Sequence, residues 1–303
     1  MRRIKKSVRN AGYLRYLYLF ALVLFLFSGV AYSSELVIGL IPEQNVFKQL
    51  ERYKPLGEYI EKKTGINIKF TMLSRYGNII ESFRNNKMDA AFWGSFTGAL
   101  AVKKLNVEFI ARPVNPDGAS TYKGYILVRK DSGIKNAADM KGKTIAFVDK
   151  ATTAGYVFPL AYFKGNGVKN PEGYFKEYYF TGSHDAAIKA LLEKQADIGC
   201  AKNTIYEKMA KEDPRVKKEL QIIAESPDVP SNGLGVRNTI DDSIKTKLKK
   251  TLLDMDKDPE GQKVLEIFGS KNFVPTTADD YTSVFKLAEE AGIDILKYDY
   301  LNK

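Results

Sequence analysis

The chain is predicted to fold as an α/β protein of two lobes, each a mixed, mostly parallel sheet flanked by helices, with two crossover strands joining them. Three observations predict this. Short apolar strands alternate with helical segments after residue 34; the alternation restarts in the middle third with a fresh set of strands; and two extended segments flank that middle third. With 303 residues and 44% apolar content the chain has material for two lobes and is not disordered.

Residues 1–33 stand apart from that pattern. Arg2, Arg3, Lys5, Lys6, Arg9 and Arg15 form a basic region ahead of an apolar run from Tyr16 to Ala31 that ends in small residues. Ala31-Tyr32-Ser33 satisfies the small-x-small rule for a cleaved export signal, so cleavage is expected after Ser33, with Ala31 as a second position. The run of about 15 residues is shorter than the roughly 20 a spanning helix needs, which argues against an uncleaved anchor. No Cys lies near the boundary, which argues against a lipoprotein.

Beyond the signal, Leu36 to Leu40 is an apolar strand, Phe47 to Thr64 a helix, Ile66 to Leu73 a strand, Tyr76 to Asn86 a helix, and Asp89 to Trp93 a buried strand. The middle third repeats the scheme. Ala137 to Lys141 is a short helix, Thr144 to Val148 a strand, Gly155 to Lys164 a helix, Tyr178 to Phe180 a strand, His184 to Lys194 a helix and Asp197 to Ala201 a strand. Tyr122 to Arg129 leads into this third, and Gln221 to Val236, punctuated by Pro and Gly, leads out. Read as paired crossovers, they make the first lobe discontinuous. It takes residues 34–122 and 227–303 and ends in helices from Asp242 to Ile295, while residues 123–226 form the second lobe. A hinge of this kind leaves a cleft, with strand-end loops of both sheets around it.

Charge and special residues exclude several classes. Loss of the signal removes six positive and no acidic residues, taking the net charge from +11 to +5. The remaining Lys residues alternate with Glu and Asp and read as solvated helix faces, so no nucleic acid partner is expected. Cys200 is the only cysteine and His184 the only histidine, so neither an internal disulfide nor a zinc site of the usual ligands can be assembled. The neighbours of Cys200 in ADIGCA place it in the core.

Two strand-to-helix turns carry the chemistry. In Asp149-Lys-Ala-Thr-Thr-Ala-Gly-Tyr156 a helix start offers free amides and a partial positive charge, to which Thr152 and Thr153 add hydroxyls. Ordinary helix capping explains the same threonines. His184, in Thr-Gly-Ser-His-Asp-Ala-Ala, can donate to an oxyanion and titrates near neutral pH; a bond to its own loop is the plainer account. Both turns belong to one sheet, so they should converge on the cleft.

The mature chain resembles the periplasmic phosphonate, phosphite and phosphate-binding proteins of ABC importers, which have the type II periplasmic-binding fold. The resemblance rests on Lys54-Pro-Leu-Gly-Glu-Tyr-Ile, Met88-Asp-Ala-Ala-Phe-Trp-Gly94, Asp117-Gly118 with Tyr122, Arg129-Lys-Asp-Ser-Gly-Ile134, Lys141-Gly-Lys-Thr, the Thr152 to Tyr156 loop, Gly182-Ser-His-Asp-Ala-Ala187, Ser226-Pro-Asp-Val-Pro230 and Phe273-Val-Pro275. It implies a monomeric periplasmic protein that carries a small phosphorus oxyanion to a membrane permease and its ATPase. By the same resemblance Thr152, Thr153 and backbone amides around Ala154 and Gly155 would hold the headgroup beside His184, and Tyr76 and Tyr122 would close from the other side. Trp93, Thr204 and Asn232 are candidates for the pocket wall.

The chain departs from that family in its loop, where Ala154 replaces a hydroxyl residue. Members that bind aminoethylphosphonate hold its ammonium with carboxylates; the matching positions here are Asn232 and Thr204, so no anion is evident for a ligand cation. A buried unpaired ammonium is costly, which favours phosphate, phosphite or a small alkylphosphonate. An enzyme and a ligand sensor on the same architecture are the rival readings. No G-x-S-x-G elbow is present; Lys141-Gly-Lys-Thr144 lacks the first Gly of a phosphate loop, with Ala137 in its place; and Gly233-Leu-Gly235 meets Asn238 where a dinucleotide fingerprint needs Gly. No catalytic residue and no cofactor is therefore expected.

Overall fold

A computed structural model describes residues 35–171 and 173–302. The export signal expected over residues 1–33 lies outside the described residues. Strand β1 (Glu35–Leu40) is followed by helix α1 (Val46–Thr64), β2 (Asn67–Met72), α2 (Asn78–Arg84), β3 (Ala90–Trp93), α3 (Ser95–Lys104) and β4 (Val107–Val114). The local signals are plain in α1. Asn45 accepts from the amides of Phe47 (3.1 Å) and Lys48 (3.3 Å), and Gly65 ends the helix at φ 73°, a left-handed conformation that suits glycine.

The chain then crosses through β5 (Thr121–Tyr122) and builds β6 (Gly124–Arg129), β7 (Thr144–Phe147), α4 (Phe158–Gly165), β8 (Glu177–Phe180), α5 (His184–Leu192), β9 (Ile198–Lys202), α6 (Asn203–Glu212), α7 (Arg215–Glu219) and β10 (Leu220–Glu225). It returns through β11 (Val229–Pro230) to β12 (Gly233–Arg237), α8 (Asp242–Leu253), α9 (Pro259–Phe268), β13 (Asn272–Val274) and α10 (Thr282–Glu290).

These strands form a six-stranded sheet in the order β13-β4-β12-β3-β1-β2 and a five-stranded sheet in the order β10-β6-β9-β7-β8. Parallel pairing is confined to one side of each sheet, β2-β1-β3 and β8-β7-β9, and the strands beyond run antiparallel. β5 and β11 pair with each other, Val229 opposite Tyr122 and Pro230 opposite Thr121, as a two-stranded ribbon between the sheets. The two extended segments are therefore not continuous strands: each breaks, at Lys123 and at residues 226–228 and 231–232, where the chain leaves one sheet for the ribbon or the next sheet.

Both sheets have buried cores on their helix-covered faces. Leu36, Ile38, Leu40, Phe92 and Val236 pack with Tyr53, Leu56, Leu252 and Phe268 of α1, α8 and α9. Leu127 and Ala201 pack with Ile188, Leu191 and Ile205 of α5 and α6. Cys200 is fully buried, as its apolar neighbours suggested. Among the described residues no helix is long and apolar enough to cross a membrane.

Candidate functional site

The turn after β7 differs from an ordinary helix start. Residues Thr153–Val157 form one π-helical turn before α4, with Val157 N–H donating to the Thr152 carbonyl (3.1 Å). The amides ahead of that bond are the ones any helix start leaves without a partner inside the helix. The wide turn is seated by close packing on β7. A Cβ on Gly155 would stand 2.4 Å from the Val148 Cβ, so only glycine fits there. Pro159 occupies the second position of α4, where its missing N–H costs nothing. Thr152 stands at the cap position without capping: its hydroxyl donates to the Asp149 carbonyl (2.6 Å).

Thr153 points across the cleft. Its Oγ1 lies 2.6 Å from Ser95 Oγ, and Ser95 Oγ lies 2.5 Å from the Tyr122 hydroxyl, so three hydroxyls from the π-helical turn, α3 and β5 form one chain. All three residues are buried. Burial raises the Tyr122 phenol to about 12, against the lowering effect of its bonds to Ser95 and Thr153, so it remains a neutral donor.

His184 begins α5, and its amide donates to the Glu43 carbonyl (3.2 Å). Its Nδ1 accepts from the Lys202 amide (3.2 Å), which fixes the tautomer with the proton on Nε2. The bond is to strand β9 and not to the histidine's own loop. Burial moves the imidazole down to about 4, so His184 is neutral near pH 7 rather than poised to titrate there. Tyr76 stands edge-on to this ring at 6.0 Å between centroids.

One further pair completes the wall. Lys202 Nζ at the end of β9 donates to Glu43 Oε1 (2.8 Å), which follows β1, and to Asn232 Oδ1 (3.3 Å); it also sits 4.3 Å from the centre of the Tyr122 ring. Glu43 is held by α1, where Gln49 Oε1 accepts from the Glu43 amide (3.1 Å) and Gln49 Nε2 donates to the Ile41 carbonyl (2.7 Å). Burial opposes the carboxylate, but Lys202 and Arg52 more than offset it and hold Glu43 at about 2.

Tyr76, Tyr122, Thr152, Thr153, His184 and Asn232 thus line one cavity, together with Glu43, Ser95, Phe96 and Lys202. Its free space is about 10 Å³, the volume that holds one water. The Tyr76 hydroxyl and Asn232 Nδ2 are buried in this wall with no hydrogen-bond partner among the described residues. Larger depressions of about 540 and 580 Å³ are open hollows on the outer surface, edged by Lys63, Lys247 and Lys250 in one case and by Lys103 and Phe285 in the other.

Four of the sequence-predicted residues do not line the cavity: Ala154 and Gly155, expected to offer backbone amides, and Trp93 and Thr204, expected in its wall. Ala154 is fully buried against Gly124, and Gly155 lies behind it on Val148. Trp93 packs inward on Phe83 and donates from Nε1 to the Gly235 carbonyl (3.2 Å), and Thr204 lies beyond the wall in the first turn of α6. Conversely, Ser95, Glu43 and Lys202 were missed. Each follows or ends a parallel strand, β3, β1 and β9, which is the same strand-end signal that pointed to Thr152 and His184. The cavity wall therefore contains a formal cation, Lys202, and a formal anion, Glu43, which corrects the expectation that no anion lies near the site.

Residues 38–281 match the family described as "ABC transporter, phosphonate, periplasmic substrate-binding protein". The chain is similar to the phosphonates-binding periplasmic protein of Escherichia coli (strain K12), 28% identical over 242 residues that cover 78% of this chain and 71% of the relative. It is also similar to a probable ABC transporter phosphite-binding protein of Prochlorococcus marinus (strain MIT 9301), 23% identical over 89% of this chain and 95% of the relative. A solved binding-protein component of a Pseudomonas aeruginosa ABC phosphonate transporter aligns with a TM-score of 0.80 at 25% identity, covering 86% of this chain and 87% of that one. A Prochlorococcus marinus protein solved with methylphosphonate aligns at 0.76 and 20% identity over 86% and 99% of the two chains, a likeness of fold. The architecture is that of the type II periplasmic-binding proteins.

Proposed function

The chain belongs to the family of periplasmic phosphonate substrate-binding proteins of ABC transporters, and from that premise we propose that it captures a small phosphorus oxyanion in the cavity between its two sheets. The observation that carries this is the convergence of buried neutral donors, Thr153, Ser95, Tyr122, Tyr76, Asn232 Nδ2 and His184 Nε2–H, on one small polar space. Donors fixed in this way replace the hydration shell of a tetrahedral anion, and the starts of α3, of the π-helical turn at Thr153 and of α5 add partial positive charge at the cavity wall.

In this reading residues 34–122 with 227–303 form one lobe and 123–226 the other, hinged at the β5 and β11 ribbon. The ligand enters with the lobes apart and is enclosed when they meet. The mature protein, cleaved after Ser33, is a periplasmic monomer that delivers its ligand to a membrane permease with its ATPase. It performs no chemistry on the ligand and binds no nucleic acid.

Titration calorimetry of the mature protein against phosphate, phosphite, methylphosphonate and sulfate tests the reading. Binding of at least one phosphorus compound with clear preference over sulfate is expected. Preference for sulfate, or turnover of any phosphonate, would overturn it.

A further inference from the structure

Among the described residues, the Glu43 and Lys202 side chains are the one pair of opposite formal charges facing each other in the cavity wall, 2.8 Å apart and 7% and 9% exposed. They come from different sheets, Glu43 after β1 and Lys202 at the end of β9. Burying such a pair seldom stabilises a fold more than apolar residues would, because desolvation cancels most of the attraction. Its position suggests another role. The Lys202 ammonium has three neighbours that can take its charge: Glu43 Oε1, Asn232 Oδ1 (3.3 Å) and the Tyr122 ring (4.3 Å to its centre). The carboxylate that a cationic ligand group would seek is thereby already neutralised from within the chain, and the alkyl stem of Lys202 takes up the space beside it.

We propose that Lys202 is a tethered counter-cation that determines specificity: by pairing with Glu43 and filling that end of the cleft, it admits small phosphorus oxyanions and rejects phosphonates that carry a protonated amine. The proposal rests on the phosphorus-oxyanion reading of the site. An aminoalkyl group entering the cleft would meet a like charge at Lys202 and find the Glu43 carboxylate already paired.

Calorimetry with methylphosphonate and 2-aminoethylphosphonate is the test, on the wild type, on Lys202→Ala and on the double variant Glu43→Gln with Lys202→Met. The wild type is expected to prefer methylphosphonate by at least about 100-fold. Lys202→Ala frees the Glu43 carboxylate and opens space, so the preference should shift towards the amine by at least about 100-fold. The double variant has no buried charge to destabilise it and no carboxylate to offer, and should show no such gain. Wild-type affinities for the two ligands within about threefold would overturn the proposal, and need no variant to be folded. An unchanged ratio in folded Lys202→Ala would also overturn it, as would an equal gain in the double variant. Failure of the wild type to bind either methylphosphonate or phosphate would instead sink the reading beneath it.

Discussion

Ser95 and Thr153 share a hydrogen bond of 2.6 Å although one follows β3 of the six-stranded sheet and the other begins the π-helical turn of the five-stranded sheet. Two short side chains from opposite sheets can meet only where the sheets close on each other, so this contact marks the floor of the cleft. Both hydroxyls can rotate from each other to an entering anion.

Replacing either hydroxyl should therefore weaken anion binding. A hydrogen bond to a charged group contributes about 1.5–3 kcal/mol, so Thr153→Ala and Ser95→Ala should each raise the Kd for the preferred oxyanion by about 10- to 150-fold. Calorimetry checks both. Unchanged affinity in Thr153→Ala would remove the π-turn from the site, and unchanged affinity in Ser95→Ala would remove the start of α3.

The effect of His184 should appear as a pH dependence of stability. Its imidazole has an ordinary value of 6.5 and is lowered to about 4 by burial. Between those values the unfolded chain binds a proton that the native state refuses, so stability falls as pH is lowered through that window and is fully retained above it. His184→Asn keeps an acceptor for the Lys202 amide and has no titrating ring. Chemical unfolding of both proteins from pH 7 to pH 4 should show the wild type losing more stability than the variant. Parallel curves would mean that the ring is not neutral in the fold. Across pH 5.5 to 8.5 the wild-type affinity for an oxyanion should show no step from His184.

The parts of this molecule that were legible in the sequence share one property: the signal is local. LVIGL, AAFW and TIAF are apolar runs bounded by turn residues, and each is a strand. The segment between Gly94 and Thr121 went unread for physical reasons. Ser95 to Ala101 of α3 are buried on every side, so the helix has no polar stripe to reveal a 3.6-residue period. β4 carries Pro113, a residue that usually argues against a strand, tolerated here beside Phe273 of the short edge strand β13. The site was half legible. Thr153 and His184 sit in visible turns, but the Glu43 and Lys202 pair joins residues 159 positions apart, and no window of sequence contains it.

Gly155→Ala should be costly at a position where composition alone predicts little. The new Cβ would lie 2.4 Å from Val148 Cβ and 2.7 Å from Thr152 Oγ1, so the turn must lift from β7. Overpacking of this kind costs about 1–3 kcal/mol. Urea unfolding should show that loss, and calorimetry should show weaker oxyanion binding, because Thr153 moves with the turn. A stable variant with full affinity would mean that the turn does not depend on this contact.

The C-terminal segment ties the same loop down from outside. The Tyr298 hydroxyl donates to the Lys150 carbonyl (3.1 Å) while its ring packs edge-on against Phe96 at 5.5 Å; Asn302 accepts from the Lys150 amide (3.1 Å) and donates to Asp149 Oδ2 (3.0 Å). Asp149 also accepts from the Ala151 amide (2.8 Å), yet burial outweighs these bonds and raises its carboxyl from 3.8 to about 6. The native state therefore holds this proton more tightly than the unfolded chain, and the stability it brings below pH 3.8 is lost as pH rises through 6. Above that value Asp149 is charged and depends on its donors. Asn302→Ala should cost about 1–3 kcal/mol at pH 7.5, where a carboxylate loses a partner, and clearly less at pH 4.5, where the acid is protonated. Urea unfolding of wild type and variant at the two pH values measures the difference. Equal penalties at both would show that the Asp149 charge plays no part in holding the C-terminal segment to the cleft.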